Sequence, residues 1–289
     1  MSSTRAYEAE PAPRSVSTDQ AGSPTVSVPV PVPDALRPWF AEVEVGAASG
    51  GGDPRRPYTH LPDTAVKLVV RTGEDGDRTA MVVGPRTRAS YHASEQPVSC
   101  VRLRLEPGSA RPLLGVPAVD LVGRVIRLDD FLAPGARRLA DELLSVEPEL
   151  IVPRLAELLP TAHPAGPAVD SRTALVRAAV RAVSAGGGRL PEGVGGLARR
   201  LAVSERQLRN LFADGVGISP KHFARIARVR HVLTHRSPAV PWAQLAATSG
   251  YYDQSHLTAD FRALMGVPPT SFFTGRLPAS QPCQAFARP

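Results

Sequence analysis

Two patterns of apolar residues divide the chain into a first part that predicts strands and a second part that predicts helices. In the first part, short apolar runs alternate with Gly, Pro and Asp, which is typical of β-strands joined by turns. Residues 66–70 and 79–83 flank an acidic glycine turn and predict a β-hairpin. Residues 98–105 alternate with a period of two, which predicts a strand with one buried face. From residue 171 onward, apolar residues recur at helical spacing.

Helical spacing also follows the predicted strands. Residues 111–117 predict a short helix and a turn, and residues 135–144 and 148–159 predict two further apolar helices. The apolar face of the helix at 135–144 either covers the sheet or forms a dimer surface. Several short strands with helices after them predict a small β-rich domain, similar to a barrel or sandwich. With an all-α C-terminal domain after it, the chain is predicted to be α+β.

Two segments near the C-terminus share one arrangement of apolar and polar residues. Residues 197–212 and 245–261 each begin with Leu-Ala in a short apolar helix, pass through a tight turn and a polar N-cap, and end in a helix with apolar residues on one side. Ser204 and Gln207 form a capping-box pattern, and Asp253 is placed to cap the last helix. These features predict two helix-turn-helix motifs. Because the second helix of such a motif can enter the DNA major groove, the pair predicts reading of two neighbouring grooves.

Polar residues on the outer sides of the two second helices are the candidate base contacts. Arginine can bond guanine, and asparagine or glutamine can bond adenine, in the major groove. The candidates are Arg206, Arg209, Asn210, Gln254, Ser255 and Thr258. Cations and helix N-termini bind the DNA backbone phosphates. The candidates for phosphate contacts are Arg199, Arg200, Ser204, Lys221, Arg225, Arg228, Asp253 and Arg262.

Composition divides the chain into five segments. Residues 1–33 are rich in Ser, Thr, Pro and Glu and predict a disordered arm. Residues 34–160 form the predicted β-rich domain, with a regulatory or oligomerisation role, and residues 161–170 are a proline-containing linker. Residues 171–277 are the predicted DNA-binding domain, and residues 278–289 are a disordered tail.

Charge separates the two halves of the chain. Residues 171–277 contain 15 Lys and Arg against 5 Asp and Glu, whereas residues 1–170 contain 18 against 22. A basic C-terminal domain favours a nucleic-acid partner. Two distant cysteines, Cys100 and Cys283, do not predict a disulfide scaffold, and a reducing cytoplasm is the expected compartment. Apolar runs are too short to predict a membrane span or a signal peptide, so we expect no membrane partner.

Other kinds of chemistry have little support in the sequence. His60, Asp63 and His92 do not follow a compact metal-ligand spacing, so we expect no metal and no other cofactor. The glycine runs at 50–52 and 186–188 lack the Lys and Ser/Thr context of a phosphate-binding loop. Because no nucleophile motif is present either, we expect that the protein is not an enzyme.

The C-terminal domain also carries longer motifs. The stretch Gly-Tyr-Tyr-Asp-Gln-Ser-His-Leu at 250–257 is followed by matching residues at 261–262 and 266–272. Together with the segment 217–223, it closely resembles the DNA-binding domain of AraC/XylS-type transcription regulators. The resemblance covers residues 171–275. It implies two helix-turn-helix units joined by a long helix and bound to promoter DNA.

The chain departs from the family pattern at two positions of the reading helices. Asn210 and Ala259 stand where the family often has arginine. Arg206 and Arg209 are therefore expected to carry more of the readout. In the first half of the chain, residues 61–64, 83–88, 104–108 and 114–116 are similar to a β-rich N-terminal domain in a subset of these regulators, which implies a sensor or oligomerisation domain.

The resemblance implies a transcription regulator, an activator or a repressor, that binds double-stranded promoter DNA, acts with RNA polymerase and is modulated through its N-terminal domain. A small-molecule effector and a second copy of the chain are further candidate partners. Two alternatives stay open. One is a cupin-like small-molecule-binding or enzymatic protein, and the other is a protein-interaction module with weakened DNA binding, motivated by Asn210 and Ala259.

Overall fold

Strands dominate the first part of the structure and helices the second. The computed structural model describes residues 25–48, 58–73, 75–92, 99–162, 171–190 and 192–281. The strands are β1 (Thr25–Val30), β2 (Phe40–Ala48), β3 (Tyr58–His60), β4 (Lys67–Thr72), β5 (Arg78–Val83), β6 (Ser90–His92), β7 (Ser99–Leu105) and β8 (Val125–Arg127). The helices are α1 (Ala110–Leu114), α2 (Pro134–Ser145), α3 (Ile151–Ala162), α4 (Ser171–Ala185), α5 (Gly193–Arg200), α6 (Glu205–Gly215), α7 (Pro220–His235), α8 (Trp242–Thr248), α9 (Gln254–Met265) and α10 (Pro269–Phe273). This order confirms the predicted α+β class.

Six strands form one antiparallel sheet in the order β1-β2-β7-β4-β5-β8, and β3 pairs with β6 separately. The predicted hairpin is confirmed, because β4 pairs with β5 from Lys67 opposite Val83 to Thr72 opposite Arg78. Strand β7 lies between β2 and β4 and alternates between buried and half-buried residues along most of its length. Among the described residues the six strands form an open sheet, with β1 and β8 at its edges, and helices rather than further strands cover its apolar face.

Helices α1, α2 and α3 cover this apolar face. Leu68, Val101 and Leu103 of the sheet share one core with Ala136 and Leu143 of α2, and all five side chains are fully buried or nearly so. The apolar face of α2, predicted either to cover the sheet or to form a dimer surface, therefore covers the sheet.

Three predicted segment boundaries change in the structure. The arm predicted over 1–33 includes strand β1, which pairs along β2 at the edge of the sheet. An edge strand tolerates Pro29, because part of its N–H groups face away from the sheet. Helix α3 extends into the predicted linker as far as Ala162, and Gln281 of the predicted tail donates its N–H to Tyr91 O (2.8 Å). The rest of these segments, at 1–24, 163–170 and 282–289, lies outside the described residues.

Helix α7 is the centre of the helical domain. Its residues Ile226, Val229 and Val232 are fully buried, at the spacing of one helix face. They share one core with Leu208 of α6 and Leu257 of α9. The long helix therefore packs both predicted helix-turn-helix motifs into one domain.

The β-rich domain and the helical domain are in direct contact. Gly108 donates its N–H to Gly215 O at the end of α6 (2.9 Å). Arg177 of α4 donates to Pro38 O (2.8 Å) and Pro107 O (3.1 Å) of the β-rich domain. Hydrogen bonds from the Arg177 side chain and from the backbone thus connect the β-rich domain with α4 and α6.

Candidate nucleic-acid interface

The first helix-turn-helix consists of α5, a turn and α6. In the turn, Ala202 has a φ of 53°, a left-handed conformation that is costly for a residue with a side chain. Ser204 caps α6, and its Oγ accepts a hydrogen bond from Gln207 N (3.1 Å), as the capping pattern predicts. Leu208 and Phe212 on the inner side of α6 are fully buried. The cap and the inner side together determine which face of α6 is turned to solvent.

The predicted base-contact residues of α6 lie on this exposed face. Arg206, Arg209 and Asn210 are all exposed. Arg209 forms an ion pair with Glu205, one turn earlier in the helix. Exposed pairs at this spacing contribute only about 0.3–0.5 kcal/mol, so the guanidinium can exchange Glu205 for a DNA acceptor at small cost.

The second helix-turn-helix consists of α8, a turn and α9. Gly250 in the turn has a φ of 77°, which glycine adopts without strain. Asp253 caps α9, and its Oδ1 accepts a hydrogen bond from His256 N (2.7 Å). Leu257 and Phe261 on the inner side are fully buried. The two motifs therefore repeat one design, with a left-handed residue in the turn and a side-chain cap on the second helix.

The outer face of α9 carries the other predicted base contacts. Gln254 and Ser255, in the first turn of the helix, are exposed. Thr258 is half-buried, and its hydroxyl donates to Gln254 O (2.9 Å). The three side chains lie at positions that place them on one side of the helix.

Asp260, on the inner side of α9, binds the helix to α7. Its carboxylate accepts a hydrogen bond from Arg225 Nε (3.0 Å) and pairs with Arg228 Nη2 (3.2 Å). Asp260 is only 8% exposed. Arg228 also lies over the ring of Tyr251, 4.7 Å from its centroid. Arg225 and Arg228 were predicted phosphate contacts, yet their charges lie against this carboxylate. Asp260 itself gives no signal in the sequence, because a single Asp among apolar residues is compatible with either face.

The other cations predicted to contact phosphate lie at the surface. Arg199 pairs with Glu192 (2.9 Å), and both side chains are exposed. Arg200, Lys221 and Arg262 are exposed as well. These four cations are therefore open to solvent.

The C-terminal end of α9 is bound by the β-rich domain. Ala89 donates its N–H to Leu264 O (2.7 Å), and Tyr91 OH donates to Met265 O (2.6 Å). Both carbonyls are among the last four of the helix, and no N–H group within the helix donates to them. Tyr91 is buried, and burial raises its pKa to about 12. The segment around β6 thus caps α9 from the other domain, a contact between residues 174 positions apart that no local pattern reveals.

We expect Tyr91→Phe to lower the free energy of unfolding by about 1–2 kcal/mol, because Met265 O loses its buried donor while the ring stays in place. Urea unfolding of the full chain measures the loss. Tyr252→Phe is the matched control, since Tyr252 is 94% exposed and its hydroxyl should matter little. Equal effects of the two substitutions would show that the hydroxyl of Tyr91 does not stabilise the fold.

A buried carboxylate connects the sheet with α7. Asp63 lies 2.7 Å from Lys67 Nζ, 3.1 Å from Arg104 Nη1 and 3.9 Å from Arg230 Nη1 of α7. Arg230 also donates to Pro62 O (3.1 Å). Burial raises the pKa of Asp63, but the three cations outweigh it and hold the pKa well below its usual range. Asp63 therefore keeps its charge and binds cations from both domains.

The three residues considered as metal ligands, His60, Asp63 and His92, contact other side chains. Asp63 faces cations, while the rings of His60 and His92 meet edge to face with centroids 5.3 Å apart. His92 Nε2 lies 2.9 Å from Ser90 Oγ. Within the described ranges, no group of three His, Cys, Asp or Glu side chains is arranged to hold a metal ion. The same ranges contain no helix with the length and apolarity needed to cross a membrane.

Two families match separate parts of the chain. A family described as a helix-turn-helix domain matches residues 197–275, which contain both motifs. A family described as a domain of unknown function (DUF6597) matches residues 35–127, which contain most of the sheet. No curated protein matches the chain.

Solved structures of two proteins are similar to the chain. For the C-terminal domain of AraT, a response regulator from Geobacillus stearothermophilus, identity is 22%, the match covers 38% of this chain and 93% of that one, and the TM-score is 0.33. For ToxT from Vibrio cholerae, identity is 10%, coverage is 77% of this chain and 95% of that one, and the TM-score is 0.42. For ToxT with a bound unsaturated fatty acid, the values are 10%, 78%, 94% and 0.40.

The family match falls on the helices whose turns, caps and exposed polar faces form the two motifs. The resemblance is therefore confirmed over residues 197–275, the part that the family match covers. Residues 197–275 of this chain form an AraC-type helix-turn-helix domain.

Proposed function

We propose that this regulator reads two adjacent major-groove segments of promoter DNA, one with α6 and one with α9. The observation that supports this most directly is that each helix buries an apolar side and exposes a polar side, while α7 packs both into one core. Because one chain then carries two reading helices, it can occupy two half-sites without a second copy.

Base contacts come from the outer faces of the two helices. On α6, the two exposed arginines bond guanine and Asn210 bonds adenine, in the geometries that the major groove offers. On α9, Gln254 bonds adenine, and Ser255 and Thr258 add single hydrogen bonds to base edges. Helix α6 thus favours guanine together with adenine, whereas α9 favours adenine.

Phosphate contacts come from exposed cations and from helix N-termini. The caps Ser204 and Asp253 each accept one N–H of the first turn, and the remaining free N–H groups can bind phosphate oxygens. Arg225 and Arg228 bind Asp260 and thereby orient α9. The cations that contact phosphate are Arg199, Arg200, Lys221 and Arg262.

The N-terminal domain regulates DNA binding through its contacts with the helical domain. Its residues 89–91 bind the end of α9, and Asp63 binds Arg230 of α7. A small-molecule effector or a second copy of the chain that shifted the sheet would therefore move a reading helix. RNA polymerase is the partner that converts DNA binding into transcription activation. This function is regulatory and requires no catalytic residue.

The test of this proposal is selection from a library of duplex DNA with the full-length protein, followed by titration at stated salt. We expect an enriched bipartite site whose halves lie about one helical turn apart. A site with a single half would overturn the two-segment reading and leave DNA binding intact. Failure to enrich any sequence would overturn the proposed function.

Substitutions in the two helices should affect different halves of the selected site. Arg206→Ala combined with Arg209→Ala should relax specificity in one half, and Gln254→Ala should relax it in the other. Each lost bidentate contact should cost about 1–3 kcal/mol of discrimination against the wrong base. Arg138→Ala, at an exposed position of α2, is the control and should change neither half. If all variants keep the specificity of the unchanged protein, the assignment of the base contacts is wrong.

A further inference from the structure

An open groove lies between the outer face of α9 and the N-terminal domain. Its volume is about 930 Å³. One wall contains Gln254, Ser255, Thr258 and Arg262 of α9, and the other contains Arg88, from the connection between β5 and β6. The proposed base contacts of α9 therefore share one groove with a cation of the other domain.

The connection that carries Arg88 is bound on both sides of that residue. Ala89 donates its N–H to Leu264 O of α9 (2.7 Å). On the other side, Arg86 and Asp63 exchange backbone hydrogen bonds, with Arg86 N 2.7 Å from Asp63 O and Asp63 N 2.9 Å from Arg86 O. Because the backbone is bonded at Ala89, directly after Arg88, and at Arg86, two residues before it, the backbone of Arg88 is held at a set position beside α9.

The groove has a positive charge. Among the described residues that line it, Arg88 and Arg262 are cations and none is acidic. Arg88 is exposed. Burial lowers the pKa of His222 at the start of α7, and the charges of Arg225 and Arg88 lower it further, which agrees with a position of Arg88 close to the helical domain. A negatively charged ligand that meets α9 would therefore also meet Arg88.

We propose that Arg88 binds a backbone phosphate next to the base pairs that α9 reads, so that the DNA-binding surface includes the N-terminal domain. A helix with its side chains is about 10–12 Å across, and the major groove is about 12 Å wide. A helix seated there fills the groove, and a cation beside the helix therefore meets the phosphate backbone. The proposal rests on the reading role of α9 and adds a consequence, since DNA then favours the arrangement in which the two domains are docked.

The test measures the affinity of the full-length protein for its selected site as a function of salt. Arg88→Ala should lower the affinity about three- to tenfold at low salt, and should reduce the slope of log affinity against log salt by about 0.9, the value for one phosphate. Arg88→Lys keeps the charge and should keep the slope. Arg138→Ala, an exposed arginine of α2, should change neither quantity. Since Arg88 is exposed, its variants should melt at the temperature of the unchanged protein.

An Arg88→Ala variant with the original slope and affinity would overturn the proposal. Tighter binding by this variant would overturn it as well, because it would show that the connection obstructs the groove. Gln254→Ala tests the reading role of α9 separately. If Gln254→Ala leaves specificity unchanged while Arg88→Ala lowers the slope, the reading role fails and the phosphate contact stands.

Discussion

Replacing Asp63 with asparagine should lower the free energy of unfolding by about 3–5 kcal/mol, the range for removing one partner of a buried ion pair. The residue is 4% exposed and lies between Lys67, Arg104 and Arg230. Asparagine has nearly the same shape but no charge, so the three cations would lose the carboxylate that they share. Because Arg230 belongs to α7, the substitution should also weaken the contact between the two domains.

Urea unfolding of the full chain measures this loss. Asp34→Asn is the matched control, because Asp34 pairs with Arg37 at the surface (3.1 Å) and its side chain is 89% exposed. A surface pair of this kind contributes about 0–1 kcal/mol. If Asp63→Asn costs no more than the control, the buried cluster does not stabilise the protein.

Lowering the pH should remove the stabilisation that the Asp63 carboxylate gives. Burial raises the pKa of Asp63, but Arg104, Lys67 and Arg230 lower it by more, so the pKa in the folded protein lies well below the usual value. A lowered pKa gives a stabilisation that is complete above the unfolded carboxyl pKa of about 3.9 and is lost as the pH falls toward the folded pKa. Below about pH 4, the unchanged protein should therefore lose stability more steeply than Asp63→Asn.

Asp260→Asn should have the next largest effect, a loss of about 3 kcal/mol in the free energy of unfolding. We place it at the low end of the range because Arg225 is partly exposed, which lets water screen its charge. The substitution leaves Arg225 and Arg228 without the carboxylate that they share, and α9 loses its ion pairs to α7. DNA selection should then show weaker specificity in the half-site that we propose α9 reads, with the other half preserved.

Unfolding and DNA selection on the same preparation check both effects. Asp129→Asn is the control, since Asp129 pairs with Arg127 (2.8 Å) in an exposed position of the N-terminal domain and should contribute little. Equal loss of specificity in both half-sites would contradict a local role for Asp260 and would indicate a general loss of the fold.

The elements that were predicted well are those whose signals are local. Ser204 with Gln207 and Asp253 with the N–H three residues later form the expected caps. The apolar spacing of α2 predicted its buried face, although it could not decide between the sheet and a second copy. The arm was predicted too long, because the Val-Pro repeat before residue 33 resembles a disordered segment and only the pairing partner β2 shows that it is an edge strand.

The candidate site separates into local features and contacts between distant residues. The positions of α6 and α9 follow from periodicity within each helix, and the sequence alone determined them. The same periodicity determined which polar side chains are exposed, namely Arg206, Arg209, Asn210, Gln254 and Ser255. The structure also shows which cations are held by an acid and which are open to solvent, and this depends on residues far apart in the chain.

The sequence by itself determined the class of the protein, the two helix-turn-helix motifs and the faces of their helices, because caps, turns and apolar spacing act over about four residues. Only the tertiary structure decided that Arg225 and Arg228 lie against Asp260, which is 35 and 32 residues away, and that Tyr91 caps α9 from the other domain. The physical reason is that a buried charge or an open helix end needs a partner, and the fold selects that partner from residues that no sequence period connects.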